Sequence, residues 1–142
     1  MYQGILHAHS YLAYLVLIGL IISIINAIAK SSKPFTNADR KISLLGLIPA
    51  HLQWVLGVIL YFVSPLGIQS ATEGFMKNSN LRLYVMEHPL TMVIAVVLIT
   101  VGYSRAKRMI GSEKGNKSIL MFYTIGLVLI LLRIPWISWP GN

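Results

Sequence analysis

Long apolar stretches alternate with short polar ones along this chain. Four stretches are long enough to cross a hydrocarbon core of roughly 30 Å, which takes about 20 helical residues at about 1.5 Å each. The pattern therefore predicts an all-α integral membrane protein: one domain, residues 1–142, folded as an up-down-up-down four-helix bundle. The predicted spans are residues 5–29, 42–64, 84–103 and 118–137.

The composition agrees with a membrane protein and leaves little chain outside the bilayer. Of the 142 residues, 56% are hydrophobic and only 11% are charged, with a mean hydropathy of +0.70. An ordinary soluble domain carries roughly 25% charged residues. No basic residue precedes the first apolar run, and this run is longer than the core of a signal peptide. We therefore expect it to be retained as a membrane helix.

The polar stretch before the second span contains helix-capping residues. Thr36 or Asn37 is suited to cap a helix, and Asp39 suits the positive N-terminal end of its dipole. The second helix is therefore expected to begin before its membrane span.

Basic residues predict the orientation of the bundle. The first and third loops contain nine of them, and the opposite side of the membrane has only three. By the positive-inside rule, both termini then lie outside, in a protein of the bacterial inner membrane. The net charge of +8 is mainly a topology signal, with some attraction to anionic lipid headgroups. Nucleic-acid binding is not expected because no aromatic residues are interleaved with the charges. The nine residues are Lys30, Lys33, Arg40, Lys41, Arg105, Lys107, Arg108, Lys114 and Lys117; the three are Lys77, Arg82 and Arg133.

The four histidines are the main candidates for chemistry, since the chain has no cysteine and so no thiolate ligands for a metal. All four lie in predicted spans, where ionisable residues are costly and tend to face the bundle interior. Counted at about 1.5 Å per residue from the basic end of each span, His9, His88 and Arg133 lie at about 31, 25 and 24 Å, whereas His51 lies at about 15 Å. The first three are therefore expected at one level in the outer half, with His51 nearer the middle.

The predicted topology brings two of these histidines together. In an up-down-up-down bundle the first and third helices lie diagonally across the core, so His9 and His88 can bind one metal between them. A six-coordinate haem b needs such a pair of axial ligands. Arg133 can pair with the haem propionates. For His51 three roles remain open: a ligand in place of His9, a hydrogen-bond partner of the cofactor, or a proton relay.

Helical phase favours His9 over His7 as the interior residue. The two are about 200° apart around a helix, so only one can face the core. The His9 face has small and aliphatic residues, as does the His88 face, whereas the His7 face has two tyrosines; His7 is expected at the membrane interface. Small residues leave room for a porphyrin, but they are also typical of plain helix–helix contacts. The His9 face comprises Ala13, Val16, Leu20, Ser23 and Ala27, and the His88 face comprises Met92, Ala95, Ile99 and Gly102.

The segment "EHP" at the start of the third span predicts a kink. Pro89 has no N–H for the carbonyl of Val85, so the helical hydrogen bonding opens one turn earlier. Glu87 points about 100° away from His88 and has two open roles. It either forms an ion pair with Arg133 or, if Arg133 serves a propionate, exchanges a proton near a quinone.

Several segments together resemble a family of small four-helix membrane proteins of Bacteroidota, commonly labelled cytochrome b-like. They are "GILHAHSYLAY", "KPFTNADRKISL", "HLQWVLGVILYFVSP", "EHPLTMVIAVVLITVGYSRAK" and "IPW", in this order over nearly the whole chain. The resemblance implies a haem-binding bundle without a settled activity. The residues it touches are His7, His9, Ser10, His51, Gln53, Glu87, His88 and Pro89.

Three functions are consistent with these observations. The first is electron transfer through a bis-histidine haem b, to or from a quinone or a membrane redox partner. The second is a non-catalytic small subunit or assembly factor of a membrane complex, with structural histidines. The third is the handling of metal, porphyrin or quinone, with Glu87, His88 and His51 as a proton or metal path. An electron carrier or a subunit is expected rather than a stand-alone enzyme.

Overall fold

The computed structural model describes residues 1–140, and within them the chain is helical without any strand. Four helices are each long and apolar enough to cross a membrane. The predicted all-α fold with four membrane-spanning helices is therefore confirmed. The helices are α1 (Tyr2–Ala29), α2 (Asn37–Val63), α3 (Ser79–Lys107) and α4 (Lys114–Arg133); two short 3₁₀ turns, Ile68–Ser70 and Phe75–Lys77, lie between α2 and α3.

The bundle consists of two helical hairpins, each formed by two consecutive helices. α1 packs along α2 and α3 packs along α4, while contacts of α1 with α4 and of α2 with α3 close the ring. As predicted, α1 and α3 lie on one diagonal of the bundle. Both ends of the described chain are at the same end of the bundle, since Tyr2 contacts Ser64 and Trp139 contacts Ser10.

The start of α2 is stabilised by a capping box. The Thr36 hydroxyl accepts a hydrogen bond from the Asp39 amide at 3.2 Å, and the Asp39 carboxylate accepts one from the Thr36 amide at 2.9 Å. Asp39 is fully buried, where Asn26 and Lys30 of the first hairpin also contact its carboxylate, at 3.1 and 3.0 Å. The predicted cap at Thr36 and the role of Asp39 are confirmed, and the helix begins five residues before the predicted span.

The end of α4 differs from the prediction. The helix ends at Arg133 and not at residue 137, because Ile134 has an extended conformation with ψ of 137°. Ile134 precedes Pro135, and a residue before proline is disfavoured in the helical region. The chain therefore turns at the level of Arg133 and returns toward α1.

Each proline inside a helix leaves a carbonyl that has lost its helical donor, and a neighbouring helix contacts that carbonyl. The oxygen of Leu45, four residues before Pro49, faces Gly19 of α1 so closely that any side chain at position 19 would overlap it. The oxygen of Val85, four residues before Pro89, accepts a hydrogen bond from the Tyr61 hydroxyl at 3.0 Å. A π-helical turn, Leu83–Glu87, precedes Pro89, so the predicted opening of α3 is confirmed.

Candidate functional site

His9 and His88 face each other across the diagonal of the bundle. Their ring centroids are 6.4 Å apart and the ring planes are at 85°. The predicted common level of the two residues and the inward phase of His9 are therefore confirmed. His7 is exposed on the outside of α1, where its ring centroid lies 6.4 Å from that of Tyr11.

The orientation of the His88 ring is determined by a main-chain atom. Its Nδ1 lies 2.8 Å from the carbonyl oxygen of Arg133, which has no helical donor because α4 ends there. A carbonyl can only accept, so Nδ1 carries the proton and Nε2 of the neutral ring keeps its lone pair. Metal-binding histidines are typically oriented in this way, with the second ring nitrogen donating to a carbonyl or carboxylate.

Some of the polar atoms of His9 and its neighbour Gln53 have no hydrogen-bond partner. The main-chain carbonyl of His9 accepts a hydrogen bond from the Gln53 amide at 2.8 Å, and a Cβ on Gly57 would lie only 3.2 Å from the His9 ring. Three buried side-chain polar atoms in residues 1–140 have no hydrogen-bond partner, and two of them are His9 Nδ1 and Gln53 Oε1. Such atoms cost about 1–3 kcal/mol each, and these two belong to residues that are joined by a hydrogen bond.

Glu87 has two basic partners beside this site. Its carboxylate lies 2.8 Å from Nε of Arg82 and 3.9 Å from Nε of Arg133. The predicted pair with Arg133 is thus present as the longer of two contacts, and the Arg82 contact was not predicted. The reason is the π-helical turn between them, which brings residues five apart together instead of the usual three or four.

His51 does not belong to the histidine pair. Its side chain is exposed on the lateral surface of α2, and its Nε2 lies 2.8 Å from the hydroxyl of Thr100 on α3. That hydroxyl donates to the Val96 carbonyl, so His51 is the donor. Thr100 lies 12 residues from His88, about 18 Å along the helix. The prediction of His51 as an interior residue, and as a ligand able to replace His9, is therefore wrong.

The segment after α4 contacts α1 and α3 close to the histidine pair. The Trp139 indole donates to the Ser10 carbonyl at 3.0 Å and its ring centroid lies 4.9 Å from that of Tyr14. Ser138 contacts the Tyr84 hydroxyl at 2.7 Å. Residues 134–140 thus connect α1 with α3, next to His9 and His88.

The distance between the two imidazoles agrees with that of two histidines bound to one metal. No group of three or more metal-binding side chains occurs in the described part of the chain, whereas structural and catalytic zinc sites use three or four protein ligands. A haem brings four nitrogens of its own and needs only the axial pair. At a metal–imidazole distance of about 2.0 Å, two axial imidazoles have ring centres roughly 6 Å apart, close to the observed 6.4 Å.

Gly102, one of the small residues expected to make room for a porphyrin, serves helix packing instead, as does Gly126. A Cβ on Gly126 would lie 2.8 Å from Ile99, and Gly102 is covered by Phe122. These glycines bring α3 and α4 together, which is the alternative role of small residues in membrane helices. Gly57, which faces His9, is the small residue that adjoins the pair.

No family model, curated protein or solved structure matches this chain. The histidine pair is therefore the basis on which a function is inferred.

Proposed function

We propose that this protein is a membrane cytochrome that binds haem b through His9 and His88 and transfers electrons within the bilayer. The observation that supports this most is the facing imidazole pair, with 6.4 Å between ring centroids and the Nε2 lone pair of His88 free. A bound haem would supply reversible one-electron chemistry.

Arg133 is the residue proposed to neutralise the haem propionates. Its carbonyl contacts His88, while its guanidinium is about half exposed and lies at the long distance of 3.9 Å from Glu87. Glu87 is held more closely by Arg82, so the charge of Arg133 is available to a second anion. The resemblance to cytochrome b-like proteins of Bacteroidota points to the same cofactor. The redox partner on this proposal is a quinone or a membrane protein.

The absorbance spectrum of the gently purified protein tests the proposal. Oxidised and dithionite-reduced spectra are recorded on protein from haem-sufficient cells, and haem is quantified as the pyridine haemochrome. We expect the sharp reduced bands of a six-coordinate haem b, at about one haem per chain. A colourless protein that is folded and inserted would contradict haem binding.

A non-catalytic subunit or assembly factor is the second candidate, and a specific observation favours it. Both His88 and His51 make hydrogen bonds between helices, to Arg133 and to Thr100. Such hydrogen bonds between helices stabilise the bundle directly. A colourless protein that copurifies with a membrane complex would support this candidate. Handling of metal, porphyrin or quinone would instead require binding of one of these to the haem-free protein.

A further inference from the structure

A second candidate site lies at the opposite end of the bundle, between α3 and α4. It is a partly open cavity of about 230 Å³ at the end where nine of the twelve basic residues are found. Its walls combine cations with apolar side chains. The lining includes Arg105, Lys114, Lys117, Met109, Met121 and Phe122.

The cations of this cavity are only partly neutralised. Lys117 has a carboxylate partner, Glu113, at 3.4 Å. Arg105 and Lys114 have no carboxylate within 4.0 Å in the described part of the chain. The guanidinium of Arg105 lies over the ring of Phe122, 5.7 Å from its centroid, which orients it toward the cavity without neutralising it. Two positive charges are thus available to an anion.

The first turn of α4 adds to the positive potential. It carries Lys114 and Lys117, and the carboxylate next to them, that of the N-cap residue Glu113, is the partner of Lys117. Cations are unfavourable at this end of a helix because the helix dipole is already positive there. An anion bound beside Lys114 would relieve this unfavourable potential.

The apolar wall indicates what kind of anion fits. Met121 is exposed on the lateral surface and lies four residues beyond Lys117, about 6 Å further into the bilayer. The cavity is also smaller than the roughly 300–1,000 Å³ of sites that enclose a whole small molecule. Its occupant is therefore held at one polar end, with an apolar remainder that lies along the helices in the lipid.

We propose that this cavity binds an anionic phospholipid. The phosphate contacts Arg105 and Lys114, and an acyl chain lies against Met121 and Phe122. Basic cavities between transmembrane helices are a recurrent form of lipid headgroup recognition. The proposal is independent of haem binding, because the cavity and the histidine pair are at opposite ends of the bundle.

Native mass spectrometry of the full chain in detergent tests this site. Phosphatidylglycerol and phosphatidylcholine are titrated separately, and the apparent affinity of the first bound lipid is measured. The test variant is Arg105→Gln with Lys114→Gln. The matched control is Lys33→Gln with Lys41→Gln, which removes the same charge from exposed residues of the first loop and of the start of α2, outside the cavity. Helical content by circular dichroism verifies that both variants fold.

We expect the chain to prefer phosphatidylglycerol and the test variant to lose about 25-fold in affinity for it, since a basic side chain beside an anionic headgroup contributes roughly five-fold. The control variant should lose less than about two-fold. Equal losses in the two variants would overturn the proposal in favour of diffuse surface attraction. Equal affinity for phosphatidylcholine would also overturn it. Displacement of the lipid by millimolar inorganic phosphate would indicate a simple anion site and would overturn the assignment to a lipid.

Discussion

Two interior histidines differ in how their rings are held. The ring of His88 is held by the Arg133 carbonyl at 2.8 Å, whereas both the Nδ1 of His9 and the nearby amide oxygen of Gln53 have no partner. His88 therefore presents a preorganised Nε2, and His9 has more freedom to adjust to a ligand. For a bis-histidine haem, this predicts that His88 contributes more to affinity.

The first prediction concerns these residues. His88→Ala is expected to abolish most haem binding and His9→Ala to reduce it strongly, because each removes an axial ligand. His7→Ala is the matched control, two residues away and exposed, and should keep the parental haem content. Pyridine haemochrome quantitation on equal amounts of inserted protein measures all three. Haem in His88→Ala equal to that of the parent would refute the ligand assignment, and a greater loss in His7→Ala than in His9→Ala would refute the choice between these two.

At this scale the sequence predicts part of the site. The choice of His9 over His7 follows from the 100° step of a helix, and the common level of His9 and His88 follows from counting residues. The Arg82–Glu87 pair and the exposed position of His51 do not follow from counting. The first depends on a π-helical turn and the second on which side of α2 faces α3, and both are determined by packing between helices. Gln53 is an amide inside a predicted span. Its position there is the sequence feature that indicates a polar contact within the bundle.

At the scale of elements, a hydrogen bond that α3 loses at Pro89 is replaced by one from α2. Pro89 cannot bond to the Val85 carbonyl, and Tyr61 donates to it from α2. The Tyr61 hydroxyl therefore replaces part of the helical hydrogen bonding next to His88 and ties α2 to α3.

A double-mutant cycle tests this exchange of donors. Tyr61→Phe is expected to lower the free energy of unfolding by about 1 kcal/mol, within the range measured for hydrogen bonds between membrane helices. In a Pro89→Ala background the Val85 carbonyl regains its helical donor, so the same substitution should cost clearly less. Unfolding in mixed detergent measures both values. An identical cost in the two backgrounds would show that Tyr61 contributes through packing alone.

The contact between α1 and α2 leads to a prediction about glycine. Gly19→Ala is expected to destabilise the bundle by about 1–3 kcal/mol, because the new methyl group overlaps the Leu45 carbonyl and pushes the helices apart. Gly4→Ala in the same helix is the control, since a Cβ there has nothing within 4 Å. The same unfolding assay compares them. Similar stabilities would mean that α1 and α2 can separate at little cost.

Helix number and order were predictable from the sequence, but helix ends were less so. Apolar length indicates the part of a helix inside the hydrocarbon, and the helices continue into polar sequence at the starts of α2, α3 and α4. The end of α4 is the exception, since Pro135 terminates it before the apolar run is finished. Capping residues and prolines thus define ends that hydropathy alone does not.

At the scale of the whole molecule, the basic residues are divided between the two ends of the bundle. We expect the nine-residue end to face the cytoplasm and both termini to face outward. The chain has no cysteine, so single introduced cysteines report accessibility without background. Thr72→Cys, in the loop between α2 and α3, should react with a membrane-impermeant maleimide in spheroplasts. Ser32→Cys, in the loop between α1 and α2, should react only after permeabilisation; the opposite pattern would invert the proposed orientation.

The arrangement of the four helices also bears on when the histidine pair can form during synthesis. His9 lies in the α1–α2 hairpin and His88 in the α3–α4 hairpin. Arg133 and Trp139, which contact His88 and Ser10, leave the ribosome after both. Neither hairpin contains the pair by itself. It can form only after the second hairpin has entered the membrane and docked on the first, so on the haem proposal the cofactor joins a chain that is already inserted, not one that is still emerging.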